Sequence, residues 1–188
     1  MVSLIWHVLY WMWVASEVFI AAATRTKRSM GSVRDRGSLL ILWAVIATAL
    51  TACEWVRAIV APNMFGGAAW LKLAGVIVIV SGLSIRWIAI FTLGKSFSAN
   101  VAIRDAQTIH KAGVYRFIRH PSYLGLWLVF LATGLHSSNW ISFGLAVVPT
   151  SAVLLYRIRI EEAALRDAFG EEFVVYSRKT KRFIPGVY

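Results

Sequence analysis

Five long apolar runs constrain this chain more than any other feature. They cover about residues 2–24, 38–60, 68–92, 122–137 and 140–157. A helix needs about 20 apolar residues to cross the hydrocarbon of a bilayer, and the first three runs meet that length. The last two are shorter and are separated by "GLHSSNW" (134–140), a polar turn of the length that closes a tight helical hairpin. Lipid offers no hydrogen bonds to the backbone, so a spanning chain is either helical or a closed barrel. These runs lack the alternation of a barrel strand. The sequence therefore predicts an all-α integral membrane protein with about five transmembrane helices, the last two forming a hairpin.

Composition agrees. Of 188 residues, 59% are hydrophobic, nine are Trp and only 15% are charged, and the mean hydropathy is +0.66. Such a chain has too little polar surface for a soluble domain. The net charge of +11 does not indicate nucleic acid, because Lys and Arg lie between apolar blocks rather than along one polar face. Phospholipid headgroups are the expected partners of those cations. Cys53 stands alone in an apolar run, which excludes a disulfide framework and a cysteine-based metal site, and no metal is expected. Residues 1–24 have no basic leader and run apolar for too long for a cleaved signal, so they read as a retained span.

The loops orient the spans. Residues 25–37 carry Arg25, Lys27, Arg28, Arg34 and Arg36, and residues 94–121 carry Lys95, Arg104, Lys111, Arg116 and Arg119. "APNMFGG" (61–67) and "HSSN" (136–139) carry none. The positive-inside rule makes the basic loops cytoplasmic, with the N-terminus outside and the tail bearing Arg178, Lys179, Lys181 and Arg182 inside.

Two stretches carry chemistry. "YRFIRHPSYLG" (115–125) ends the second basic loop and opens the fourth run, with Pro121 suited to a helix start, where its missing N–H costs nothing. The loop before it is as long as a span yet has no clean helical stripe, and long structured loops are commonly functional. In "YRIRIEEAALRDAFGEEFVVYSRKTKRFIPGVY" (156–188) the last span runs through Arg157 and Arg159 into Glu161 and Glu162, and Gly170 offers a stop. Arg157 and Glu161, four apart, share a helix face. The two ionisable faces are expected to meet at one membrane depth as a polar pocket beside lipid.

"GVYRFIRHPSYLG" followed by "RIRIEEAALRDAFGEEFVVY" resembles the isoprenylcysteine carboxyl methyltransferase family of membrane enzymes, over roughly residues 94–185. The first three spans agree with it in number and hydrophobicity only. The resemblance implies an N-terminal three-helix region (1–93) and a methyltransferase core (94–188) with a cytoplasmic cofactor-binding loop and a C-terminal helix. It implies S-adenosylmethionine as cofactor, held without a soluble-type dinucleotide fold. Carried over by motif position, Gln107, Thr108, Ile109, His110, Tyr115, His120, Pro121, Ser122 and Tyr123 would wrap the cofactor, with Glu161 contacting it from the last helix. Arg157 would hold the acceptor carboxylate through paired hydrogen bonds and so serve as both catalytic and substrate-binding residue. The family often has His where Gln107 stands and a polar residue near Ala102. The implied acceptor is a lipophilic or prenylated carboxylate entering from the bilayer.

Other readings stay open on the residues alone. The acceptor can be a phospholipid amine or a thiol, the protein can be a sterol-type NADPH reductase, or it can be a catalytically silent membrane scaffold. Arg116 and the basic tail read as headgroup anchors. Glu162, Glu171 and Glu172 read as solvated, and Trp6, Trp70 and Trp140 as interfacial belts. Glu17, Glu54, Lys72 and Arg86 lie in or near spans, with structural pairing the expectation. Gly75 and Gly82 read as helix-packing positions.

Overall fold

The computed structural model describes residues 2–24, 31–35, 37–59, 69–104 and 107–183. The expectations about Arg25, Lys27, Arg28, Arg36 and the loop 61–67 lie outside these residues. Helices fill the apolar runs almost to the residue: α1 Val2–Thr24, α2 Ser38–Ile59 and α3 Ala69–Leu93. They are followed by α4 Pro121–Ser137 and α5 Trp140–Phe169. A short helix, α6 Glu171–Lys179, closes the described chain.

Four of these helices are long and apolar enough to cross a membrane: α1, α2, α3 with its 3-10 extension, and α5. At 17 residues, α4 is about 25 Å long, short of the hydrocarbon thickness. It pairs with α5 as the expected hairpin. The turn is only Ser138 and Asn139; Ser138 takes the left-handed conformation, and the Asn139 side chain caps α5 by accepting from the amides of Ile141 and Ser142. Pro149 lies inside α5, and the helix continues through it.

Helices α3 and α4 make the tightest seam. Gly82 and Gly125 face each other there, and a methyl group on Gly125 would sit 2.6 Å from the Gly82 carbonyl oxygen and the Arg86 amide nitrogen. Small residues let helices touch backbone to backbone in lipid, where no hydrophobic effect drives them together. Gly125→Ala is therefore expected to lower stability by about 1–3 kcal/mol, measured by unfolding in detergent, because neither backbone can retreat. Gly75 packs against Ala132 and His136 on the same seam.

The buried core joins Trp13, Ile79, Leu126, Val129, Phe130 and Leu154 from four helices. Trp6 is a correction to the interfacial reading: it is buried and stacks flat on His136, 4.0 Å between ring centres. Trp70 and Trp140 remain exposed, as do Leu4, Phe19, Leu40, Ile77, Phe91 and Val148, the faces a bilayer would cover.

At one end of the helices the connecting segments knit together. Strand β1 (Gly31–Val33) pairs antiparallel with β2 (Ala102–Arg104). Arg119 and His120 donate their amides to the carbonyls of Lys181 and Arg182. The loop after α1, the loop before α4 and the tail thus share one face of the molecule. The segment between α3 and α4 has no long helix; it holds two 3-10 turns, Gly94–Ser96 and Gly113–Arg116, on either side of β2.

Candidate functional site

Beneath that knot of loops lies a cavity of about 140 Å³. Two kinds of surface line it. Ile20 and Ala21 of α1, Leu39, Leu42 and Trp43 of α2 and Leu126 of α4 form an apolar wall. Residues 96–103 and 107–110, the start of α4, the middle of α5 and α6 form the other, which carries the polar groups. A span-facing apolar wall and a loop-facing polar wall meet because α4 begins, and α5 passes, at the depth where the loops fold inward.

Arg157 stands where the two walls join, with 1% of its surface exposed. Its Nε donates to the Tyr123 hydroxyl at 3.4 Å and its Nη2 to the Ala99 carbonyl at 2.9 Å. Its Nη1 donates to Asp35 at 3.3 Å and to the Ser38 hydroxyl at 3.1 Å. A guanidinium has five N–H bonds, and four are used here; one, on Nη2, is left among the described residues. The expected fork of paired hydrogen bonds to an acceptor is thus already occupied. Arg157 and Glu161 share a face, but the ion pair Arg157 forms is with Asp35.

Around His120 the carboxylates divide their work. The imidazole Nε2 lies 3.3 Å from Glu162, and Nδ1 lies 3.9 Å from Glu161. Its ring stacks on Tyr123. Glu162 corrects the solvated reading: it is 4% exposed and also accepts from Arg119 and Arg182 at 2.9 Å each. Arg119 continues into the carbonyls of Ser177 and Thr180, closing the end of α6. Glu162 therefore ties α5, α4 and the tail together behind the cavity rather than in it. Glu162→Ala leaves Arg119 and His120 facing an empty place, and a loss of about 3 kcal/mol is expected from a buried partner removed. Thermal unfolding in detergent, with faster proteolysis of residues 178–183, checks it.

A second buried pair closes the α1 side. Arg86 of α3 forms a two-pronged bond with Glu17 of α1, with Nη2 to Glu17 at 2.6 Å. Its Nη1 reaches the Ser122 hydroxyl at 2.8 Å and carbonyl at 3.1 Å. Structural pairing of Glu17 with Arg86, the expectation for charges inside spans, is what the fold contains. Glu54 likewise pairs with Arg57.

Ten of the eleven residues singled out in the sequence line this one cavity: Gln107, Thr108, Ile109, His110, Tyr115, His120, Ser122, Tyr123, Arg157 and Glu161. Pro121 does not; it is buried at the first position of α4 and sets the helix start. Ala102 also lines the wall. His110 presents a buried Nε2 with no hydrogen-bond partner among the described residues. Tyr115 donates to the Ala89 carbonyl and receives its own backbone's bond from Tyr176. Burial, with the Glu161 charge adding to it, pushes the Tyr115 phenol well above its ordinary range, and burial raises Tyr176 to about 12. Both rings stay neutral and can pack against a flat ligand.

Asp35 and Tyr176 are absent from the sequence reading, and Glu162 entered it only as solvated. Asp35 had a signal: an Asp three residues before Ser38, at the mouth of an apolar run, is a helix-start pattern. Its second bond, across the fold to Arg157, had none.

A sequence profile described as the isoprenylcysteine carboxyl methyltransferase (ICMT) family matches residues 75–167. Protein-S-isoprenylcysteine O-methyltransferase B of Arabidopsis thaliana is 33% identical over 121 residues, 63% of this chain and 61% of that protein. The Rattus norvegicus protein-S-isoprenylcysteine O-methyltransferase is 30% identical over 118 residues, 62% of this chain and 42% of that protein. The Xenopus laevis enzyme of the same name is 24% identical over 185 residues, 96% of this chain and 63% of its own length. This chain therefore spans between two fifths and two thirds of these relatives. The solved structure of the eukaryotic intramembrane Ras methyltransferase ICMT superposes with a TM-score of 0.68 at 26% identity, covering 75% of this chain and 52% of that one.

Proposed function

We infer that this multi-pass membrane protein is a methyltransferase using S-adenosylmethionine and acting on a lipophilic carboxylate of the isoprenylcysteine type, since its residues 75–167 match the isoprenylcysteine carboxyl methyltransferase family profile. The observation that carries the reading is one cavity that has both an apolar wall from α1 and α2 and a polar wall from residues within 96–103, 107–110 and 115–123 and from α5. A prenyl chain suits the first wall, and a charged, aromatic cofactor suits the second.

The residues present fit that cofactor. The Nε2 of His110, on the cavity wall and without a partner among the described residues, would bond a polar group of the cofactor. Tyr115 and Tyr123 line the cavity, and their ring faces would attract a sulfonium held there. Glu161, with a third of its side chain open, offers a carboxylate to ammonium or ribose groups. When bound, the cofactor supplies an electrophilic methyl group.

The chain's own tasks are then positional. A carboxylate of ordinary pKa is already an anion at neutral pH and needs no general base. Arg157 orients it, Tyr123 spaces Arg157 from Glu161, and the segment 94–121 excludes water from above. Holding reacting atoms in line at about 3 Å supplies much of the rate enhancement. In this reading the loop-bearing face, with its excess of basic residues, is cytoplasmic. The acceptor enters from the bilayer while the cofactor arrives from water.

Binding of S-adenosylmethionine to the purified protein in detergent, measured calorimetrically, tests the cofactor. Saturable binding is expected, weakened about tenfold or more in Glu161→Ala and Tyr123→Ala, each of which removes a charge-assisted or ring contact. Transfer of a labelled methyl group to an N-acylated, S-prenylated cysteine, but not to its methyl ester, tests the acceptor. Absence of binding by the folded wild type would defeat the assignment.

A further inference from the structure

Asp35 lies outside residues 75–167 and does not line the cavity, yet its carboxylate reaches Arg157, which does, at 3.3 Å. One oxygen, Oδ2, accepts from the Leu39 amide at 3.0 Å. The other, Oδ1, accepts from the Ser38 hydroxyl at 3.0 Å, the Val101 amide at 3.1 Å and Arg157 Nη1 at 3.3 Å. It thereby joins the start of α2, the segment before β2 and the middle of α5. Burial works against its charged form, but the Leu39 and Val101 amides and Arg157 outweigh it and hold the carboxyl below its ordinary value. The carboxylate is charged whenever the protein is folded near neutrality.

The other guanidiniums on the cavity wall are also paired: Arg86 with Glu17 and Arg119 with Glu162. Arg157 differs in that its carboxylate comes from a loop between two spans.

We propose that Asp35 is the positioning residue of the methyl-transfer site: a resident carboxylate that fixes Arg157 and offsets its charge, so that an acceptor carboxylate meets one free N–H rather than an uncompensated cation. The proposal rests on the carboxylate-acceptor reading above. In that reaction a carboxylate oxygen donates its electron pair to the methyl carbon, a C–O bond forms, and the C–S pair returns to sulfur. An anion and a sulfonium become a neutral ester and a neutral thioether, and no proton moves. The acceptor loses negative charge on the way to the transition state. A full cation beside it would stabilise the ground state more than the transition state, which improves binding and slows chemistry. By carrying the counter-charge, Asp35 keeps Arg157 as an aligning donor without letting it hold the nucleophile back.

The test compares wild type with Asp35→Asn and Asp35→Glu, using an N-acylated, S-prenylated cysteine as acceptor and S-adenosylmethionine affinity as the control for folding. Asp35→Asn keeps an accepting oxygen but removes the charge; KM for the acceptor and kcat are both expected to fall, each by about tenfold, the size of one charge-assisted hydrogen bond. Asp35→Glu keeps the charge and displaces it, so kcat falls while KM holds. A merely structural Asp35 would lower the folded fraction in both variants without moving KM. Unchanged or raised KM in Asp35→Asn with wild-type cofactor affinity would overturn the proposal. So would the same KM change in Asp35→Glu, the variant that serves if Asp35→Asn fails to fold. A wild type that binds S-adenosylmethionine but is inert toward the carboxylate would overturn the acceptor reading itself, and the proposal with it.

Discussion

Arg86→Ala should destabilise the folded protein by about 3–5 kcal/mol, because it strands the Glu17 carboxylate in the interior with no cation to face. The same change releases Ser122, whose hydroxyl and carbonyl both take bonds from Arg86, at the first turn of α4. Lost stability and a loosened cofactor wall should therefore appear together. Unfolding by a denaturing detergent measures the first, and S-adenosylmethionine affinity of the surviving folded fraction the second. The double variant Glu17→Leu with Arg86→Met is expected to recover most of the stability, since an apolar pair of similar volume avoids the desolvation cost that the ion pair must offset. It should not recover cofactor binding, because Ser122 still lacks its donor. Full recovery of both would mean that the pair only fills space.

If the proposed methyl transfer is the reaction, Arg157→Lys should reduce it by about a hundredfold or more while leaving the protein folded. Lysine keeps the charge, but its ammonium is a single point and cannot reach Tyr123, Asp35, Ser38 and Ala99 at once. Misplacement of a reacting group by about 1 Å is enough for a loss of that size. Cofactor affinity should change little, because Glu161 and the segment 107–123 remain. A Lys variant with near wild-type turnover would show that charge alone suffices at this position, and the geometry around it would lose its mechanistic meaning.

The spans were legible because lipid imposes one rule on every residue of a helix. The bounds of α1, α2 and α3 follow from where apolar character stops. The cavity wall was legible through the resemblance that "GVYRFIRHPSYLG" and "RIRIEEAALRDAFGEEFVVY" carry, since residues 107–123 lie more than thirty positions from 157 and 161 and no spacing joins them. What escaped was chemistry made by distant partners. Glu161 and Glu162 are adjacent in sequence and look alike, but successive helical residues point about 100° apart. One faces the cavity, and the other faces Arg119 and Arg182. Asp35 sits 122 positions from Arg157, and no periodicity links them. Trp6 reads as a belt residue at a helix end until His136 is found stacked on it.

Helix α5 is continuous for 30 residues, from the Asn139 cap on one side to Gly170 on the other. At 1.5 Å per residue it is about 45 Å long, against hydrocarbon of about 30 Å. A rod of fixed length meets a thinner or thicker bilayer by tilting. Arg157 and Glu161 ride past its middle toward Gly170, where tilt about the helix centre becomes sideways displacement, while Ser38 opens α2 and Asp35 lies in the loop just before it. Acyl-chain length of the surrounding lipid thus becomes a variable of the proposed reaction, acting on the distance between two helices rather than on any residue placed against the proposed acceptor.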